Sequence, residues 1–486
     1  MLQSGAGAHS IAAARPGGAD LAPQNGTTGM TTLIANESQA LAGLDAFGAA
    51  ERRQALAWLA GRAGERIERP LVNMHMHSFF SYNTAGYSPS RLAWEAWRGG
   101  LYAAGLCDFD VLDGQEEFLE AGLMLGLRAT ANLETRAYVR EFAAGDINSP
   151  GEAGVAYVMG AGFASPVLPG SPQAGPLAAL RRQASDRNRA LVGRINARLP
   201  DIALDYDRDV VPLSPGACPT ERHIVRAYRL KAEAQFGQGE DLWSFWAGIL
   251  GKTQSEMVRL GRDLPDFEEA IRARLVKRGG IGYEPPTDKS FPLADDFFRW
   301  VLDCGAVPTA TWLDGTSPGE SDMAAMLDCM RAKGAAAMNI IPDRNHNIAD
   351  PRLRSVKLAK LAEAVRAAES MAMPLNIGTE MNKDGQPFAD DLDCEALRPY
   401  RAAFLAGARI MVGHSLLARY AGYSYCGAQA QADFGNRTRD KNAFFQSVGS
   451  LPALREETGR KLADAGQAKA LACIRISAAK GRWIEP

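Results

Sequence analysis

Eight short apolar runs, separated by segments of helical periodicity, constrain this chain more than any other feature. They are LVNMHMHS from Leu71, LYAAGLCDFD from Leu101, LRATANLETRA from Leu127, VAYVMGAGF from Val155, AVPTATWLDG from Ala306, AAAMNIIPD from Ala335, PLNIGTEMN from Pro374 and ARIMVGHS from Ala408. Strands alternating with helices predict a parallel sheet with crossover helices, and eight such units close a barrel. The fold expected is α/β: a TIM-like (β/α) barrel of seven or eight parallel strands with a large helical insertion.

The insertion is expected because the fourth and fifth runs lie too far apart for one crossover. Residues 164–305 begin with the Pro/Gly-rich SPVLPGSPQAGP and continue through several amphipathic helical patterns. Such a segment leaves a barrel from the loops that carry function, so it serves either as a lid over the mouth or as a surface for self-association. The barrel then comprises residues 71–163 and 306–420. Residues 31–70 read as helices covering one end, and residues 421–486 as a segment packed on the outside. Residues 1–30, rich in Gly, Ala, Ser and Pro, are expected to form a disordered tail.

Polar residues cluster where the strands end. His75 and His77 close the first run, Asp108 and Asp110 the second, and Glu134 the third; Asp314, Asp343, Glu380 and His414 close later ones. Barrel enzymes assemble their sites at that rim. Residues two apart on a strand share a face, so His75 and His77 can offer two imidazoles to one ion, with Met76 turned away. A carboxylate and imidazole ring is what a hard or borderline divalent metal requires, and Glu134 is suited to bridge ions. His414 reads either as a further ligand or general base or as a structural histidine. Glu380 and Asn382 read either as substrate-orienting or metal-holding groups or as turn residues. In IIPDRNHN, Asp343 is a candidate for proton transfer, while Arg344, Asn345 and His346 form a polar cluster in which Arg344 suits a phosphate or carboxylate. Asp314 sits in TWLDGTSPGE, a loop whose amides read either as an anion cradle or as a plain turn. His223, after the cap-like Thr220, lies with Arg222, Arg226 and Arg229 on an insertion helix that either closes on an anion or is simply solvated.

The stretch from Leu71 to Val139, with its HxHS strand, serine-proline helix start, aspartate-ended second strand and glutamate-ended third, resembles the polymerase and histidinol phosphatase (PHP) family of metal-dependent phosphoesterases. The resemblance implies that His75, His77 and Glu134 are metal ligands and that Asp108 is the acidic member of the second motif. Phe109 stands where that family places a histidine, and the later histidine motifs are not recognisable. One or two ions are therefore expected rather than a three-metal cluster. The strand count is closer to the wider amidohydrolase type.

Composition narrows the partners. The 54 basic and 56 acidic residues leave a formal charge of −2, without the basic footprint of a nucleic-acid binder. Seven scattered cysteines without a CxxC pair fit neither a disulfide framework nor a thiolate zinc cage. No signal peptide or membrane span is legible, so a cytoplasmic location is expected. The function expected is metal-assisted hydrolysis of a small anionic phosphoester, using Zn²⁺ or Mn²⁺. The alternatives are a metal-dependent isomerase or epimerase of a sugar or sugar acid, and a barrel that binds a ligand without catalysis.

Overall fold

The computed structural model describes residues 34–485, so the expected tail lies outside the described residues. Seven strands form one sheet in the order of the sequence: β1 (Arg69–Met76), β2 (Leu101–Phe109), β3 (Arg128–Tyr138), β4 (Val155–Ala161), β5 (Val307–Trp312), β6 (Ala337–Ile340) and β7 (Leu375–Ile377). The sheet curls into a nearly closed barrel. Beyond β7 the chain reaches back to β1, where Met76 bridges Glu380, Glu380 N donates to His75 O at 2.9 Å, and His77 N donates to Glu380 O at 2.9 Å. Gly378 makes that approach possible, because an added Cβ would lie 2.5 Å from His75 N.

Six strands run parallel and β4 runs against both its neighbours, a departure from the all-parallel expectation. The connection between β3 and β4 carries no crossover α-helix, only the short 3₁₀ turn Arg140–Phe142. A parallel return needs a crossover that carries the chain back along the sheet, usually as a helix, and residues 139–154 form none, so the chain doubles back. The end of β4 therefore lies at the barrel end where the other strands begin.

The eighth expected strand is a helix. ARIMVGHS belongs to Arg401–Ala421, a 21-residue helix ended by Gly422 in the left-handed conformation, φ 62°. A short apolar run does not separate a buried strand from a buried helix. Here the surrounding Ala, Leu, Arg and Met favour helix, and burial on nearly all sides explains the absence of an amphipathic pattern. This helix packs on β7 and on the helices Thr438–Gly449 and Gln467–Lys480.

The 164–305 segment has a core of its own. Leu191 and Ile195 of Ala174–Asn196, Tyr228 of Glu221–Phe236, Trp246 of Glu240–Leu250, and Phe267 and Leu275 of Leu264–Leu275 form one buried cluster. The main cluster lies between sheet and outer helices, and it includes Phe298 and Val301 from the helix Ala294–Asp303. All seven cysteines are unpaired. Among the described residues no helix is long and apolar enough to cross a membrane.

Candidate metal centre

The end of β1 delivers two imidazoles to one side of the barrel mouth, and β3 delivers a carboxylate to meet them. His75 Nε2 lies 3.7 Å and His77 Nε2 3.5 Å from Glu134 Oε2, and the three ligand atoms fall within 4.8 Å of one another. All three residues are buried. His75 Nδ1 and Nε2 and His77 Nε2 have no hydrogen-bond partner. Leaving a buried polar atom unpaired costs about 1–3 kcal/mol, so the two Nε2 atoms beside one carboxylate call for a ligand between them. A tetrahedral site with bonds of about 2.1 Å has edges of roughly 3.4 Å. The donor set and its spacing therefore fit a divalent ion. Among the described residues this is the one such cluster of His, Cys, Asp and Glu.

The chain prepares His77 for this role. Burial and the neighbouring His75 push its pKa down to about 3, so the ring is neutral. Ser81 Oγ donates to Asp108 Oδ1 at 2.7 Å and so accepts from His77 Nδ1 at 3.2 Å, which leaves the Nε2 lone pair facing Glu134. Ordering a ligand's tautomer through its second nitrogen is a recurrent device of metal sites. Burial raises the pKa of Glu134, with His75 opposing it.

Asp108 corrects the sequence expectation. It does not face the cluster. Its carboxylate accepts from Ser78 N, Ser78 Oγ and Ser81 Oγ, each at 2.7 Å, and clamps the loop that follows the two histidines. It is a positioning residue.

His414 is a second correction. It lies inside the helix Arg401–Ala421, with Nε2 3.0 Å from Gly162 O and Nδ1 accepting from Tyr425 N at 3.1 Å. Both nitrogens are used, so it is neither ligand nor base. Burial pushes its pKa down from 6.5 to about 4. The unfolded chain therefore takes up this proton first, and the stabilisation is complete above pH ~6.5 and lost as pH falls towards ~4. The sensitivity corresponds to on the order of 3 kcal/mol at ~1.36 kcal/mol per pKa unit. Urea unfolding at a series of pH values should show this loss in the wild type, with a shallower dependence in His414→Gln; equal slopes would contradict it.

Of the remaining expected residues, Glu380 stands beside the cluster. Burial pushes its carboxyl up, but Arg344 above all outweighs burial and holds it below the usual range. Arg344 Nη2 donates to Glu380 Oε2 at 2.8 Å. Glu380 and Met381 both have left-handed backbones, φ 62° and 58°, held in place by the bridge to β1. Asp343, Asn382 and Asp314 line the same cavity, where Asp314 is paired to Lys357 at 2.8 Å.

Four other expectations are redirected. Asn345 is buried, and its amide staples Leu313 O and Ile341 O. His346 pairs with Asp390 at 3.5 Å, away from the cavity wall. The amides of Leu313, Asp314 and Gly315 do not await an outside anion, because the carboxylate of Glu320 accepts all three at 2.6–3.0 Å. His223 caps its own helix by accepting from Thr220 N, and Arg229 is paired to Glu233 and Glu268.

The cluster opens into a cavity of about 850 Å³. One wall is the barrel mouth, with His77, Glu134 and Arg344, and the other is the 164–305 helices, with Arg187, Glu221 and Arg272. The sequence reading passed over Ser81, Arg187 and Arg136. The signal for Arg136 was present: it stands two residues after Glu134 on β3, hence on the same face.

Against known proteins, no family model matches the sequence, and no curated protein matches it. Among solved structures, the chain is similar to one described as a candidate metal-dependent phosphoesterase from Bifidobacterium adolescentis, at 19% identity and TM-score 0.43 over 68% of this chain and 96% of that one. It is also similar to an amidohydrolase from Chromobacterium violaceum with bound sulfate and no metal, at 14% identity and TM-score 0.44 over 68% of this chain and 96% of that one.

Proposed function

We propose that the chain is a metal-dependent hydrolase that cleaves the phosphoester of a small anionic molecule. The observation that carries this reading is the convergence of two buried imidazole Nε2 atoms, neither of them hydrogen-bonded, on the Glu134 carboxylate at the floor of a charged cavity. His75, His77 and Glu134 would hold one divalent ion, zinc or manganese by their donor chemistry. When bound, such an ion supplies Lewis acidity, drawing charge from an ester oxygen and making water a stronger acid.

The chain's own groups do the rest. Arg344 offers Glu380 one of its five N–H groups at 2.8 Å, and its guanidinium is part of the cavity wall, where the other donors can bind phosphoryl oxygens. Glu380, kept ionised by that pairing, is placed to accept a proton from the attacking water. Asp343 and Asn382, on neighbouring loops of the same wall, are placed to orient the leaving group.

The test is release of inorganic phosphate from a panel of phosphorylated sugars, nucleotides and sugar acids, with Mn²⁺ or Zn²⁺ and with chelator. Phosphate release that stops with chelator is expected. Arg344→Ala should lower kcat/KM roughly tenfold to a hundredfold, the equivalent of one charge-assisted hydrogen bond of about 1.5–3 kcal/mol. No release from any member, or an Arg344→Ala enzyme as active as the wild type, would overturn the reading.

A further inference from the structure

The cavity has a second pole above the metal centre. Arg136, one rung beyond Glu134 on β3, places its guanidinium carbon 4.6 Å from the centre of the Phe291 ring. Arg187, from the helix Ala174–Asn196, places its own 4.4 Å from the same ring centre. Phe291 is fixed because the segment after it joins the sheet: Tyr138 N donates to Pro292 O at 2.8 Å, and Tyr138 bridges Leu293. Two like charges are thus gathered on one aromatic platform, one carried by the barrel and the other by the helices above it.

The two cations are matched unequally: burial works against both, but Glu152 outweighs it at Arg136, whereas Asp110 offsets it only in part at Arg187. Arg136 Nη1 donates to Glu152 at 2.7 Å, but its buried Nε has no partner. Arg187 Nη1 donates to Ser290 O at 2.8 Å, while its nearest carboxylate, Asp110, stands 3.8 Å away and accepts from Thr135 Oγ1 at 2.6 Å. Burial pushes the Arg187 pKa down to about 10, with Asp110 opposing it only in part. Paired guanidinium forks on a cavity wall are suited to a planar or tetrahedral oxyanion.

We infer that Arg136 and Arg187 form a second anion subsite, so that the substrate carries a carboxylate or phosphate in addition to the group presented to the metal centre. The inference rests on the hydrolase reading for what lies at the first pole, and it deepens that reading by giving the substrate two separate anionic ends. Glu134 and Arg136 are two residues apart on one strand, a rise of about 6.6 Å, so the two ends belong to a compact molecule. Phe109, the register partner of Glu134, forms the wall between the poles: its ring is 6.0 Å from the Arg136 guanidinium and meets Tyr157 edge to face. A short carbon frame fits that stretch better than a charged one.

Calorimetric titration of the full chain, treated with chelator so that metal plays no part, tests the subsite. The probes are inorganic phosphate and, separately, acetate, which distinguish the two oxyanions. At least one is expected to bind wild type and His75→Ala alike, and to bind Arg187→Gln at least about tenfold more weakly, with Arg187→Lys between. If Arg187→Gln fails to fold, Arg136→Gln takes its place, with melting temperature as the check on both. Binding of neither probe, or equal binding by wild type and the folded arginine variants, overturns the inference. Because His75 takes no part in these titrations, failure of the metal centre leaves the result intact and failure of the subsite leaves the metal centre standing.

Discussion

His75→Ala should leave the purified chain without its divalent ion and lower kcat/KM for its phosphoester at least about a thousandfold. The ring removed carries two buried nitrogens with no hydrogen bond, so the variant loses an ion ligand, and melting temperature separates that loss from the cavity a fully buried ring leaves. Lewis acidity is worth several kcal/mol of transition-state stabilisation, and about 4 kcal/mol is a factor of a thousand. His77→Ala should match it in metal content. Glu134→Gln keeps the shape but removes the charge, and should bind metal more weakly than the wild type. Metal content per chain and initial rates check all three; a His75→Ala enzyme with wild-type metal and rate would contradict the account.

Gly407→Ala should cost the fold more than an alanine in a helix ordinarily gains. The helix Arg401–Ala421 lies directly on the backbone of β7, and a Cβ at Gly407 would overlap the carbonyl oxygen of Leu375. The helix must back away from the sheet, an overpacking cost of about 1–3 kcal/mol or more against a helix-propensity gain of up to ~1 kcal/mol. Gly193→Ala is the matched control. It lies in the interior of the helix Ala174–Asn196 with nothing within 4 Å of an added Cβ, so it should stabilise by roughly 0.4–1 kcal/mol. Urea midpoints measure both. A Gly407→Ala chain as stable as Gly193→Ala would mean that the helix does not seat on β7 as described.

How far the sequence could be read depended on whether a residue's meaning was local. Six of the seven strands announced themselves because the apolar run ended in polar residues, while β4 was marked by its apolar run alone, and the i, i+2 pair His75 and His77 needs only the pleat to share a face. Other meanings were set by tertiary partners. ARIMVGHS by itself suits a strand and a helix equally, and its helix-favouring flanks together with the backbone of β7 beneath Gly407 decide between them. The direction of β4 was hidden in a connection long enough for a helix that forms none. Asp108 and Glu134 are both strand-end carboxylates, yet the serines of the loop after β1 occupy the first and leave the second free to face the imidazoles. In the same way, the acid that fills the TWLDG loop is Glu320, a few residues downstream in the same chain. The cationic pair on Phe291 joins residues 136, 187 and 291, three elements with no sequence pattern in common.

The central claim is that His75, His77 and Glu134 enclose one divalent ion, and X-ray absorption at the metal edge of the loaded, dialysed chain tests it most directly. The account predicts one ion per chain with two imidazole rings and carboxylate oxygen in its first shell, and loss of the imidazole signal in the His75→Ala, His77→Ala double variant. An ion retained with no imidazole in its shell, or a chain that retains none, would contradict it.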